Sequence, residues 1–153
     1  MRKGNINRGV VKRTYNQEKK HYTQFTNEES LYLQEKIRSL DTSKLKVSNH
    51  LSLKSTVSYD IGDIIATMRS DDLTDIIIEF NSTKKFDHTD KRVLLRSKKV
   101  YDVEVDGNIK KCNLCFVISL LKNELITVYY NEYKDNHDTI NWYRYNENLK
   151  IIA

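Results

Sequence analysis

The stretch Asp90–Tyr145, DKRVLLRSKKVYDVEVDGNIKKCNLCFVISLLKNELITVYYNEYKDNHDTINWYRY, decides the fold. Apolar and polar side chains alternate along much of it, the pattern of strands that bury one face. Arg92–Arg96 is a short apolar run closed at both ends by arginine, and Val100–Val105 alternates apolar and polar. Asp106-Gly107 follows, a pair suited to a two-residue hairpin because both of its positions need positive φ. The return strand is predicted over Ile109–Leu120, long enough to contain a bend or bulge. Lys122-Asn123-Glu124 reads as the next turn and Leu125–Tyr130 as the last strand. Just upstream, the β-branched run Ile76–Phe80 supplies another strand.

Before Asp75 the period turns helical. Thr26 with Glu29 three residues later has the form of a capping box, and Leu31, Leu33, Ile37 and Leu40 trace an apolar stripe to about Leu40. Ser48 or Asn49 caps a second predicted helix over 48–55, with Leu51 and Leu53 apolar. A third begins after Ser58, where Ile61, Ile64, Ile65 and Met68 recur at helical spacing. Gly62 costs that helix roughly 1 kcal/mol relative to alanine. Helices first and an antiparallel meander afterwards make an α+β chain with its helices layered on one sheet face.

At 153 residues the chain is expected to be one domain, residues 21–153, preceded by a basic flexible arm, residues 1–20. The arm holds Arg2, Lys3, Arg8, Lys12, Arg13, Lys19 and Lys20 against the single acid Glu18; it thus carries +6 of a net +5, leaving −1 on residues 21–153. Such an arm suits phosphate contacts through counterion release, and equally suits a solubilising terminus. No apolar run is long enough for a membrane span or a signal peptide, so a cytoplasmic location without membrane partners is expected. Two cysteines, Cys112 and Cys115, make no disulfide framework; three apart on a strand, they point to opposite faces and form only half a zinc set. No glycine-rich phosphate loop, Gly-x-Ser-x-Gly elbow or His-Glu-x-x-His pair is present. Asp71, Asp72 and Asp75 read as a helix-end loop. Neither cofactor nor metal is expected.

Arg92 and Arg96, four apart on a strand, share a face and so are candidates to hold one phosphate; they are also what any surface strand flanking Val93-Leu94-Leu95 would carry. Thr127, Tyr129 and Asn131 share one face of the last strand, a substrate-binding set or simply the polar side of a half-buried strand. His137, among Asp135 and Asp138, is the leading candidate for proton transfer, with an exposed loop histidine as the alternative reading. His50 is the second candidate, and on a helix it stands one turn from Lys54. Tyr129, Tyr130, Tyr133, Trp142, Tyr143 and Tyr145 are dense enough to stack on bases or to serve as core and rim packing.

Together, the helical Ser-x-His with a basic residue four later (His50, Lys54), the helix entry over 58–64, the Arg92/Arg96 strand, and Ile126–Asn131 followed by His137 resemble the barnase–EndoU–colicin–RelE ribonuclease superfamily over roughly Ser48–Tyr145. The resemblance implies N-terminal helices packed on a twisted antiparallel sheet of about four strands, with RNA held on the concave sheet face. It further implies a metal-independent endoribonuclease, of toxin or phage-effector type, that leaves a 2′,3′-cyclic phosphate. His50 and His137 would then move protons, Lys54, Arg92 and Arg96 would stabilise the phosphorane, and Thr127, Tyr129 and Asn131 would position substrate. On that reading Arg96→Ala lowers the rate by about 10²–10³ with folding unchanged. Relatives often carry arginine at the position of Lys54. The alternative is a non-catalytic phage or host-interaction protein on the same scaffold, binding RNA or a host defence or transcription protein. RNA is the expected partner, an antitoxin or host protein the other; the sequence leaves the oligomeric state open.

Overall fold

The computed structural model describes residues 2–3, 18–54, 57–85, 88–135 and 144–152, with side chains for all of these except 2, 3, 54, 85 and 88. In chain order the elements are β1 (Arg2–Lys3), β2 (Lys19–His21), α1 (Asn27–Arg38), β3 (Lys46–Val47), α2 (Asn49–Lys54), α3 (Ile61–Met68), β4 (Ile77–Lys85), β5 (His88–Val105), β6 (Asn108–Ser119) and β7 (Glu124–Glu132). The fold is α+β. Strands β4 to β7 form the expected four-stranded antiparallel meander, but the sheet is larger and mixed. Its order is β2-β4-β5-β6-β7-β3, with β2 antiparallel to β4, β3 parallel to β7, and β1 parallel to β5. The added strands have two or three residues each, too few to show a period.

The helix starts follow from side-chain caps. Glu29 N–H donates to Thr26 Oγ1 at 3.1 Å and Thr26 N–H to Glu29 Oε1 at 3.0 Å, the reciprocal box that opens α1. Ser48 Oγ accepts from Leu51 N–H at 3.1 Å and donates to the Ile126 carbonyl at 2.8 Å, so one hydroxyl caps α2 and ties it to β7. Asp60 caps α3 through Gly62 N–H, at 2.8 Å. Gly62 stands in the first turn beside that cap, where a Cβ would approach the Asp60 carboxylate to 3.2 Å. Its cost to the helix is therefore partly offset.

All three helices serve one core. Leu33 and Ile37 of α1, Leu51 of α2, and Ile64 and Met68 of α3 pack with Val93, Leu95, Leu114, Phe116, Val128 and Tyr130 of the sheet. Tyr130 is fully buried and its hydroxyl donates to the Ser58 carbonyl at 2.8 Å. On the opposite sheet face Ile78, Leu94 and Cys115 make a smaller cluster with Tyr22, Val117 and Tyr129. Cys112 belongs to the first cluster and Cys115 to the second, so the two free thiols do lie on opposite faces.

The runs 92–96 and 100–105, expected as separate strands, are one strand with a bulge. Arg96 pairs with Cys115 and Val100 with Asn113, so four steps along β5 match two along β6. Two inserted residues preserve the alternation, and Val93, Leu95, Tyr101 and Val103 stay on the helix side. Side chains satisfy the bulge: Asn113 Nδ2 donates to the Ser97 and Lys99 carbonyls at 2.8 and 3.3 Å, and Ser97 Oγ accepts from Leu114 N–H at 2.9 Å.

The hairpin between β5 and β6 turns at Asp106 (φ 50°) and Gly107 (φ 81°), as the dipeptide predicts. A Cβ at Gly107 would meet no atom within 4 Å, so substitution acts on the backbone alone. Gly107→Ala is expected to destabilise the protein by about 1–2 kcal/mol, lowering Tm by roughly 2–8 °C in calorimetry.

The arm is less detached than its composition suggests. Lys19 and Lys20 form part of β2, and Arg2–Lys3 pair with Val103–Glu104 of β5; residues 4–17 lie outside the described residues. Lys20 is buried, its Nζ 2.8 and 3.0 Å from the two Glu29 carboxylate oxygens and 3.2 Å from the Leu149 carbonyl. A count of cations cannot separate a lysine awaiting a phosphate from one already paired inside the chain. Among the described residues, no helix is long and apolar enough to cross a membrane.

Candidate functional site

The sheet face opposite the helices carries most of the candidate side chains. Arg92, Leu94 and Arg96 alternate onto it from β5, and Thr127, Tyr129 and Asn131 from β7, where they pair with Val117, Cys115 and Asn113. Strand periodicity therefore assembles five of the eight candidates on one surface. His50 is not among them. It is exposed on α2, whose Leu51 enters the helix-side core, so the sheet separates it from the arginines. Lys54 closes the same helix. His137, Trp142 and Tyr143 lie outside the described residues.

The two arginines have different employment. Arg92 Nε donates to Asp90 Oδ2 at 2.7 Å, while Ser119 Oγ donates to Asp90 Oδ1 at 2.6 Å. The two terminal nitrogens of Arg92 keep open donors among the described residues. Arg96 is fully engaged by its own chain. Its Nε and Nη2 donate to Asn113 Oδ1 at 3.0 and 2.8 Å, and Nη2 also reaches the Glu132 and Tyr133 carbonyls at 3.0 and 3.3 Å. Nη1 donates to the Asp135 carbonyl. The expected phosphate cation is thus a clamp that fastens the bulge of β5 to the chain leaving β7. Alternation reveals which face a guanidinium occupies and is silent about carbonyls brought near by a later turn.

Tyr129 and Asn131 are similarly turned inward. Asn131 is buried. Burial, reinforced by neighbouring groups, holds the Tyr129 phenol well above its ordinary value, and burial pushes the Cys115 thiol up to about 12. Tyr129 packs against the small cluster under this face and, like Thr127, is half-buried by its accessible surface. Toward β2 the face is covered. The Tyr145 hydroxyl donates to Glu79 Oε2 at 2.6 Å, and the His21 ring lies against Tyr22 and Tyr145 with centroids 4.3 and 5.4 Å away. Burial first, then the Glu79 carboxylate, raise the Tyr145 phenol.

What stays open is a depression of about 470 Å³ at the bulge, lined by Tyr22, Ile78, Arg96, Lys98, Asn113 and Tyr133 among others. Tyr133 is 45% exposed. The Lys134 ammonium sits 5.7 Å from its ring centroid, and Lys98 Nζ lies 3.4 Å from Asp75 Oδ2, both of that pair exposed. Tyr22, Lys98 and Asn113 escaped the sequence reading. The available signal was the polar triplet Ser97-Lys98-Lys99 interrupting two alternating runs. Compared with protein-family models, curated proteins and solved structures, the chain matches none.

Proposed function

We propose that the chain binds single-stranded RNA in the depression at the β5 bulge without cutting it. The observation that carries this reading is Tyr133, an exposed ring on backbone held by Arg96, with the Lys134 ammonium 5.7 Å from its centroid and Lys98 lining the same depression. A base stacked on a fixed aromatic ring gains about 1–3 kcal/mol irrespective of its identity, and adjacent cations take the flanking phosphates. The exposed Lys98–Asp75 pair is worth little in water, so a phosphate can compete for Lys98. Catalysis is the weaker reading because the Arg96 donors are occupied and His50 stands across the sheet.

One observation favours the second reading, metal-free cleavage of the kind the superfamily resemblance implies, with an antitoxin as its natural partner. Arg96 fastens the chain as far as Asp135, two residues in sequence before His137. Fluorescence anisotropy of a labelled 12-nucleotide uridine RNA in EDTA, with the same samples run on a denaturing gel, separates the two. Binding should leave the RNA intact and weaken with salt at a log–log slope of about −0.7 per phosphate contacted. Lys98→Ala should reduce that slope by about 0.7, and Tyr133→Ala should weaken binding about tenfold. Cleavage to cyclic phosphate ends, lost in His137→Ala, would instead establish the second reading. Neither binding nor cleavage would reject both.

A further inference from the structure

A second recess lies on the helix side, where the C-terminal ends of α1 and α3 meet. It holds about 310 Å³ and is lined by Ile37, Arg38, Leu40, Thr42, Met68 and Arg69. Its floor is apolar, with Ile37 2% and Met68 1% exposed and Leu40 partly buried. Both arginines at its mouth are exposed and each is steadied by one neutral acceptor. Arg38 Nη2 donates to the Asp71 carbonyl at 2.8 Å and Arg69 Nη2 to Thr42 Oγ1 at 2.5 Å. Asp41 and Asp71 are close in sequence to these groups, yet no carboxylate among the described residues pairs with either guanidinium.

Cations at helix C-termini offset the helix dipole, which accounts for two arginines here but not for the apolar floor between them. Leu31 adds a third feature. It is 65% exposed and stands seven residues before Arg38, on the same stripe of α1 and about 10 Å away along the axis. We propose that this recess and stripe dock an acidic peptide segment of a partner protein. A carboxylate side chain enters between Arg38 and Arg69 with its methylenes on Ile37 and Met68, and an apolar side chain about 10 Å away covers Leu31. In an extended peptide side chains return to one face every second residue, so the two stand four residues apart, about 13 Å along the backbone, and lean toward each other. The orientation is set by the two guanidinium forks, which match a carboxylate better than a lysine would.

The probe is an acetylated, amidated Leu-Ala-Ala-Ala-Glu peptide, against the same peptide ending in lysine, titrated into the isotope-labelled full chain and followed by amide shifts. The acidic peptide should move the amides of Ile37, Leu40, Thr42, Met68 and Arg69, and the lysine peptide should not. Arg38→Ala with Arg69→Ala should weaken the acidic peptide about tenfold or more, while Leu31→Ser weakens it less; the same spectra report whether each variant is folded. Equal responses to both peptides, no response at all, or undiminished binding by a folded double variant would overturn the proposal. So would shifts at these amides produced by the uridine RNA and not by the peptide, which would assign the recess to nucleic acid.

Discussion

Arg96→Ala is expected to destabilise the protein by about 2–4 kcal/mol, and not to leave folding untouched as a purely phosphate-binding arginine would. One guanidinium serves Asn113 Oδ1 and three carbonyls on the chain leaving β7. Hydrogen bonds from a charged donor contribute about 1.5–3 kcal/mol each, more than neutral ones. The exit carbonyls can turn to water when the side chain is removed, so their loss is partly recovered. Asn113 cannot turn: it is buried, and its amide nitrogen is already committed to Ser97 and Lys99 inside the bulge. Arg96→Lys should recover only part of the loss, because an ammonium cannot reproduce the planar fork. Urea unfolding measures both variants. A loss below about 0.5 kcal/mol, the range of an ordinary surface substitution, would remove Arg96 from its structural role and return it to the list of available cations. One consequence is practical: any loss of RNA binding in Arg96→Ala must be read beside its stability.

Lys20→Met is expected to cost about 3–5 kcal/mol at pH 7, because it strands a buried carboxylate. The Lys20–Glu29 pair joins β2 to α1, and the same ammonium reaches the Leu149 carbonyl, so three separate segments share one charge. Burial alone would raise the Glu29 carboxyl. The hydrogen bond and charge of Lys20, with the Thr26 amide, outweigh it and hold Glu29 below its ordinary 4.5. A depressed folded pKa stabilises the protein above the unfolded pKa, and that contribution is lost as pH falls through the folded value. Removing Lys20 leaves burial opposed only by the Thr26 and Ile151 amides, so the folded pKa rises and the stabilisation shrinks. The variant's deficit should then shrink on acidification, as Glu29 protonates and the stranded charge is removed. Unfolding of both proteins between pH 4 and 7 checks this. A deficit that is constant across the range would mean that Glu29 is not the group stranded.

Local patterns read well here because their causes are local. The Thr26/Glu29 box, the Asp106-Gly107 turn, the shared face of Arg92 and Arg96, and the opposed cysteines each depend on residues a few positions apart. Hidden features depend on distant groups. The two-residue strand Lys46–Val47 exists because Leu125 offers its backbone, and the role of Lys20 depends on Glu29 and Leu149. Similarly, Arg96 was readable as a cation on the polar face, whereas its acceptors come from residues 113 and 132–135. Asn113 is a polar residue in an apolar strand, and only the bulge opposite explains it. His50 was legible as a helical histidine, but the side of the sheet that its helix would occupy was not.

The most direct test of the central claim, a single-stranded RNA site at the β5 bulge, is an amide-shift map of the full chain titrated with the uridine 12-mer. Perturbations centred on Ile78, Arg96–Lys99, Asn113 and Tyr133, and lost in Tyr133→Ala, are the predicted result. Perturbations confined to the helix layer, or none at RNA concentrations that saturate other single-strand binders, would contradict it.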